Sequence, residues 1–239
     1  MLFDILSGGD IRNIIISLIF SMPIILLALS LHETAHGYVA YKCGDNTAYN
    51  LGRLTLNPFK HLDPIGFACM LLLGFGWAKP VPINTRNFRN PKRGMALSAL
   101  AGPLANAILG LLSAAMLGFT TALYYRLAFS GASTFILTCV SYTTVLFELS
   151  ATYNLLFMAF NLIPIPPFDG SRIALAFLPP KTYFGLMKYE RQIMIGLLVA
   201  LMLLSRLGFS PFSWIAYSLT DLVANPVFKL FGKLFGIFQ

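Results

Sequence analysis

The chain has 239 residues, 57% of them hydrophobic and only 11% charged, with a formal net charge of +8 and a mean hydropathy of +0.73. Soluble domains carry roughly a quarter charged residues, so a soluble globular class is excluded, and no polar stretch is long enough for a separate soluble domain. The Lys and Arg residues flank apolar runs, so the positive charge reads as topology signal and lipid-headgroup contact, with no nucleic-acid partner.

Asp4 and Asp10 stand where a basic leader would be, which argues against a cleaved signal peptide. The first apolar run, Ile11 to Cys43, is long for one crossing and holds Pro23, where it could kink. The next segment, Leu51 to Arg93, is dense in Pro, Gly and Asn and holds seven of the seventeen Lys and Arg. Inside it lies a 14-residue apolar run, Ile65 to Ala78, short of the roughly 20 residues a crossing needs. Arg53 and Lys60 precede the run; Lys79, Arg86, Arg89, Lys92 and Arg93 follow it. Basic flanks on both sides predict a re-entrant element, which is tolerated at membrane depth only against protein or a wet cavity. Lys79 to Phe88 (KPVPINTRNF) reads as extended.

Two spans follow, about Gly94 to Tyr124 and Thr134 to Leu162, then the Pro-rich run IPIPPFDG and a further span from about Gln192 to Leu207. The basic-rich loops Leu51–Arg93 and Asp169–Arg191 belong on the cytoplasmic side by the positive-inside tendency, leaving the N-terminus outside. From Asn225, Phe228, Phe231, Phe235 and Phe238 with Lys229 and Lys233 fit a helix lying on the membrane surface or one packed into a core. The expectation is an all-α polytopic membrane protein of about four to six transmembrane helices, with a re-entrant and extended segment between the first two full spans. One integral-membrane domain covers 1–239, its site core at about 11–178 and its C-terminal helices at about 190–239.

The chemistry starts at His32, Glu33 and His36, an HETAH run near the end of the first span. Two histidines at i and i+4 share one helix face and can reach one ion, and the glutamate beside the first can approach a water there without being a ligand. Zinc lowers the pKa of a water it holds to about 7, and a carboxylate can take the proton. Ionisable residues inside a span are costly and usually functional; the alternative is a hydrogen-bonded His–Glu–His cluster tying helices together.

Catalytic zinc takes three protein ligands and keeps one position open. Candidates for the third are His61, Asp63, Glu148 and Asp169. Asp169 follows a break made by Pro164, Pro166 and Pro167, at the same depth as HETAH, and Gly170 permits a sharp turn after it. Glu148 sits mid-span nearer the other face, so depth argues against it. His61, in the polar run HLDP, also reads as a solvated or turn-stabilising histidine. Cys43, Cys69 and Cys139 are too scattered for a thiolate site.

HETAH together with NLIPIPPFDG (Asn161–Gly170) resembles the site-2 protease family of intramembrane zinc metalloproteases. GRLTLNP (Gly52–Pro58), GWAKPVPIN (Gly76–Asn84), NFRNPKRG (Asn87–Gly94) and AGPLAN (Ala101–Asn106) are similar to its compact bacterial branch, without a PDZ or CBS insertion. Phe168 stands where that family usually has Leu. The resemblance implies one zinc ion held by His32, His36 and Asp169, Glu33 as general base, and Asn161 as an amide holding substrate or an oxyanion. Asn161 also reads as a helix-end amide tying the Pro-rich loop. Asn106 reads mainly as interhelical glue, with a catalytic role as the alternative. Ile83 and Asn84 lie on the extended segment that could pair with an unwound substrate by β-augmentation.

Implied partners are transmembrane protein or peptide substrates and membrane lipids, with a homodimer allowed. The implied location is a bacterial cytoplasmic membrane, with the site toward the cytoplasm. Two rival readings remain: a membrane zinc protease using Glu148 as third ligand, and a non-catalytic helix-binding scaffold or metal transporter.

Overall fold

Residues spaced three and four apart along the first apolar run fold as one helix, α1 (Ile11–Lys42), which continues through Pro23. The computed structural model describes residues 11–73, 76–174, 177–179, 182, 185, 188–206 and 211–237. Ser21, Ile25, Ala28, His32, His36 and Ala40 are the buried residues that make one face of α1. The two histidines therefore extend the packed stripe rather than facing lipid.

Gly44, at φ +112, turns the chain out of α1, a backbone shape that an L side chain would strain. Two short helices follow, α2 (Thr47–Asn50) and α3 (Pro58–His61). The apolar run forms α4 (Pro64–Leu73). Its ten residues reach about 15 Å, half the hydrocarbon thickness. Asp63 caps it, accepting from the Gly66 N–H at 2.8 Å. Leu62 and Ala78 form an antiparallel bridge, and the Lys79 N–H donates to the His61 carbonyl at 2.8 Å. The two ends of the re-entrant run thus lie side by side, as its basic flanks predict. Gly66 and Gly76 permit the closure: a Cβ on the first would strike the Trp77 carbonyl, and one on the second the Gly66 carbonyl. The expected extended segment ends early. It runs non-helical to Asn84 (φ −106, ψ 102) and then turns through a 3-10 helix, Thr85–Asn87. The cause is Asn84 itself, whose side chain accepts from the Arg86 N–H at 3.1 Å.

Helices α5 (Pro91–Phe129) and α6 (Thr134–Asn161) follow, then α7 (Asp169–Ala174), α8 (Glu190–Arg206) and α9 (Pro211–Leu234). No strand occurs among the described residues. Helices α1, α5 and α6 are long and apolar enough to cross a membrane. The expected span 192–207 appears as α8, whose 17 residues reach about 25 Å, less than the hydrocarbon core; residues 207–210 lie outside the described set, as does most of 175–187.

Along α5 every fourth residue is buried and small: Gly94, Ser98, Gly102, Asn106, Gly110, Ala114, Gly118 and Ala122. Such a stripe lets other backbones approach closely, and the contacts along it differ by region. Contacts within the chain gather into two units, Met1–Ala105 with Phe160–Leu201, and Asn106–Ala159 with Met202–Gln239. In the second unit Gly110 meets Leu155 of α6, and Gly118 meets Ala224, Val227 and Phe228 of α9. Phe231 packs edge-on against Phe119 at 4.9 Å between ring centres, and Phe228 lies 5.9 Å from Tyr125. The aromatic face of the tail is thus turned onto α5, the packed alternative of the two; Phe238 lies outside the described residues.

Candidate metal centre

Helix α1 presents the Nε2 atoms of His32 and His36 2.9 Å apart. Asp169 Oδ2 stands 3.1 Å from each. The three residues are the one group of three or more metal-ligating side chains that converge among the described residues. Both histidines are buried, and the Asp169 side chain is only 14% exposed.

The fit to a metal follows from the protons. His36 Nδ1–H donates to the Ser98 carbonyl at 2.7 Å, so in the neutral ring Nε2 presents its lone pair toward Asp169 and His32. Burial pushes the Asp169 carboxyl up, but where the facing ring nitrogens carry protons instead of a metal, their hydrogen bonds and charge outweigh it and hold it well below the usual carboxylate range. Two imidazole nitrogens and one anionic oxygen converging on a point are the donor set of a three-ligand zinc site, and their shared centre suits a cation. The Ser98 carbonyl orients His36 from behind, as outer partners of metal-bound histidines do. Ser98 Oγ donates in turn to the His36 carbonyl at 2.9 Å.

Two glycines admit the ligands. A Cβ on Gly102 would fall 2.5 Å from His36 Nε2 and 2.7 Å from His32 Cε1. Asp169 opens α7 after the Pro-rich break, with Phe168 5.7 Å from Phe160 between ring centres. A Cβ on Gly170 would strike the Leu162 and Ile163 carbonyls. Gly170 has no positive φ, so it serves close approach rather than the sharp turn expected of it.

Glu33 is partly exposed, and its Oε2 accepts from the Val81 N–H at 2.7 Å. Asn161 ends α6, eight residues before Asp169 in the same unit. Asn106 belongs to the second unit; it is buried, and its Nδ2–H donates to Asn154 Oδ1 at 2.8 Å, linking α5 to α6. Glu148 is exposed in that second unit, outside the ligand group. His61 is buried rather than solvated, its Nε2 2.7 Å from the Thr55 carbonyl, and Asp63 caps α4. Neither they nor Cys43 join the ligand group. Asn84 is fixed by its N–H to Asp45 Oδ2 at 2.7 Å, while Ile83 lies beside it, half-buried.

Ser98 and Val81 escape sequence reasoning because they act through backbone atoms. Gly102 was accessible through the four-residue spacing of small residues on α5.

Residues 19–205 match the model for Peptidase family M50. The chain is 37% identical over 215 residues to "Putative zinc metalloprotease YwhC" of Bacillus subtilis, covering 88% of this chain and 90% of that protein. It is 29% identical over 164 residues to "Putative zinc metalloprotease Rip2" of Mycolicibacterium smegmatis, covering 66% of this chain and 56% of the other. It is 28% identical over 202 residues to the protein of the same name from Mycobacterium tuberculosis, covering 81% and 71%. No solved structure matches.

Proposed function

The chain belongs to peptidase family M50 and is an intramembrane zinc metalloprotease, and we propose that it hydrolyses peptide bonds within or beside transmembrane segments of other membrane proteins. The observation that carries this reading is the convergence of His32, His36 and Asp169 at 2.9–3.1 Å, with the Glu33 carboxylate on the residue next to His32. One zinc ion in this group would supply a Lewis acid that polarises the scissile carbonyl and acidifies a water. Glu33 takes a proton from the attacking water and delivers it to the leaving amine nitrogen, so one C–N bond breaks as one C–O bond forms. Asn161 offers an amide donor to the substrate or to the developing oxyanion.

A transmembrane helix hides its peptide bonds in its own hydrogen bonding, so a substrate must unwind to be cut. The non-helical stretch 79–84 supplies an edge for that unwound strand. Val81 O and both backbone groups of Ile83 make no hydrogen bond to another described residue. The basic residues of 51–93 support a cytoplasm-facing site, and the bacterial relatives support a bacterial cytoplasmic membrane. Lipids surround the spans, and a homodimer fits the same reading.

The test uses purified full-length wild type and Glu33→Gln, with zinc content and cleavage of a model transmembrane peptide. Equal zinc with cleavage lost is the expected result. Wild-type cleavage by Glu33→Gln would sink the reading. Ile83→Pro, which removes an edge N–H, raises KM for the peptide; unchanged turnover and KM would refute the edge.

A further inference from the structure

The segment 79–84 is built to be stiff around Val81. In Lys79-Pro80-Val81-Pro82, each residue is a proline or precedes one. Proline fixes its own φ, and the residue before it is confined to extended backbone. The segment is also held at both ends. The Arg53 guanidinium donates to the carbonyls of Lys79 at 2.8 Å and Pro80 at 3.3 Å. At the other end buried Asp45 accepts from the Asn84 N–H at 2.7 Å and the Asn87 side chain at 2.8 Å.

Val81 is keyed into α1 between those anchors. Its side chain is buried against Gly37, where an added Cβ would come 3.0 Å from Val81 Cγ1. Gly37 lies one helical turn beyond Glu33, and the seating brings the Val81 N–H onto Glu33 Oε2 at 2.7 Å. A glutamate carboxylate ends a side chain of three rotatable bonds and loses substantial rotamer freedom when ordered. A charge-assisted bond to a rigid backbone donor fixes one oxygen and leaves the other to meet a water.

We propose that the Val81 backbone N–H is a positioning group for the reaction: it aims the Glu33 carboxylate, and Asp45 acts through it by anchoring the segment. The proposal rests on Glu33 being the base, and it adds that the base is aimed by the strand that binds substrate.

The test replaces the Val81 amide by an ester, through incorporation of the matching α-hydroxy acid in the full-length protein. Side-chain shape is kept and the N–H is removed. Cleavage of the model transmembrane peptide should lose about 10- to 100-fold in kcat, with KM and zinc content unchanged. In a Glu33→Asp background, where the shorter carboxylate falls back from Val81, the ester should cause little further loss. An ester protein with wild-type kcat overturns the proposal. So does a change confined to KM, which makes the N–H a substrate donor, and so does lost zinc, which makes the contact structural. If the ester protein does not fold, Asp45→Ala carries the test: it leaves the N–H but unties its segment, and must lower kcat with zinc unchanged, whatever it does to KM; an unchanged kcat overturns the proposal. Cleavage by wild type but not by Glu33→Gln upholds the parent reading independently, so full kcat in the ester protein then removes only the positioning role. A wild type that cannot cleave removes both.

Discussion

The two units differ in where most of their polar side chains bond. In the unit that holds the candidate metal centre, polar atoms bond across long stretches of chain: Glu33 to Val81, His36 to Ser98, Asp45 to Asn84, Arg53 to Lys79. In the other unit many hydroxyls bond back to their own helix, as Thr121 does to Leu117 and Thr138 to Thr134. Its cross-helix polar links include Asn106–Asn154 and Ser113–Ser150, and aromatic packing between α5 and α9 supplies much of the rest. An intrahelical hydroxyl bond satisfies a polar group but positions nothing else. A bond across 48 or 62 residues fixes one element against another, as chemistry requires.

The sharpest way to break this contrast is to remove one acid from each unit. Asp169→Ala should lose its zinc and drop cleavage by more than about a thousandfold, while Glu148→Ala keeps both; zinc analysis on the purified pair decides it. Zinc retained by Asp169→Ala and lost by Glu148→Ala would move the site. Next in size is Gly102→Ala, whose new methyl falls against both histidine rings. Zinc affinity should weaken about 10- to 100-fold, measured by competition with a chelator. Smaller again is Asn106→Ala, which takes the donor from buried Asn154. It should cost about 1–2 kcal/mol of stability and leave zinc content unchanged; lost zinc would show that Asn106 serves the metal centre.

The smallest effect is one of pH. Burial raises the Asp45 carboxyl, but the Thr47 hydroxyl, the Asn87 amide and the Asn84 N–H outweigh it and hold it below the ordinary value. A depressed carboxyl adds stability that is present above its unfolded pKa and disappears as pH falls through the folded one. The thermal stability difference between wild type and Asp45→Asn should therefore stay constant from about pH 5 to 8 and shrink below about pH 4. A difference growing toward low pH would reverse the sign.

Much of this was legible because the patterns are local. HETAH puts its histidines on one face by helix geometry alone, and three prolines before Asp169 announce a break. The short apolar run with basic flanks announced a chain that returns on itself, and Leu62 meets Ala78. Helix limits came within a few residues, those of α8 included. Other parts were hidden because they depend on partners far along the chain. Asp45 resembles any loop acid, yet it is buried under four hydrogen bonds. His61 reads as a solvent histidine but is sealed against Thr55. The partner of Glu33 is a backbone amide, which leaves no mark on residue identity.

The reciprocal grip between His36 and Ser98 has a thermodynamic consequence. Ring and main chain of one ligand are both bonded to a single residue of α5, so the register of α5 against α1 and the shape of the metal centre are one variable. A metal that binds only the registered pair stabilises it by mass action, about 2.7 kcal/mol at a free concentration one hundred times its Kd. Zinc held by this group would then be a folding ligand as well as a cofactor. The melting temperature of the protein should then report metal occupancy, and chelation should lower it before any substrate is present.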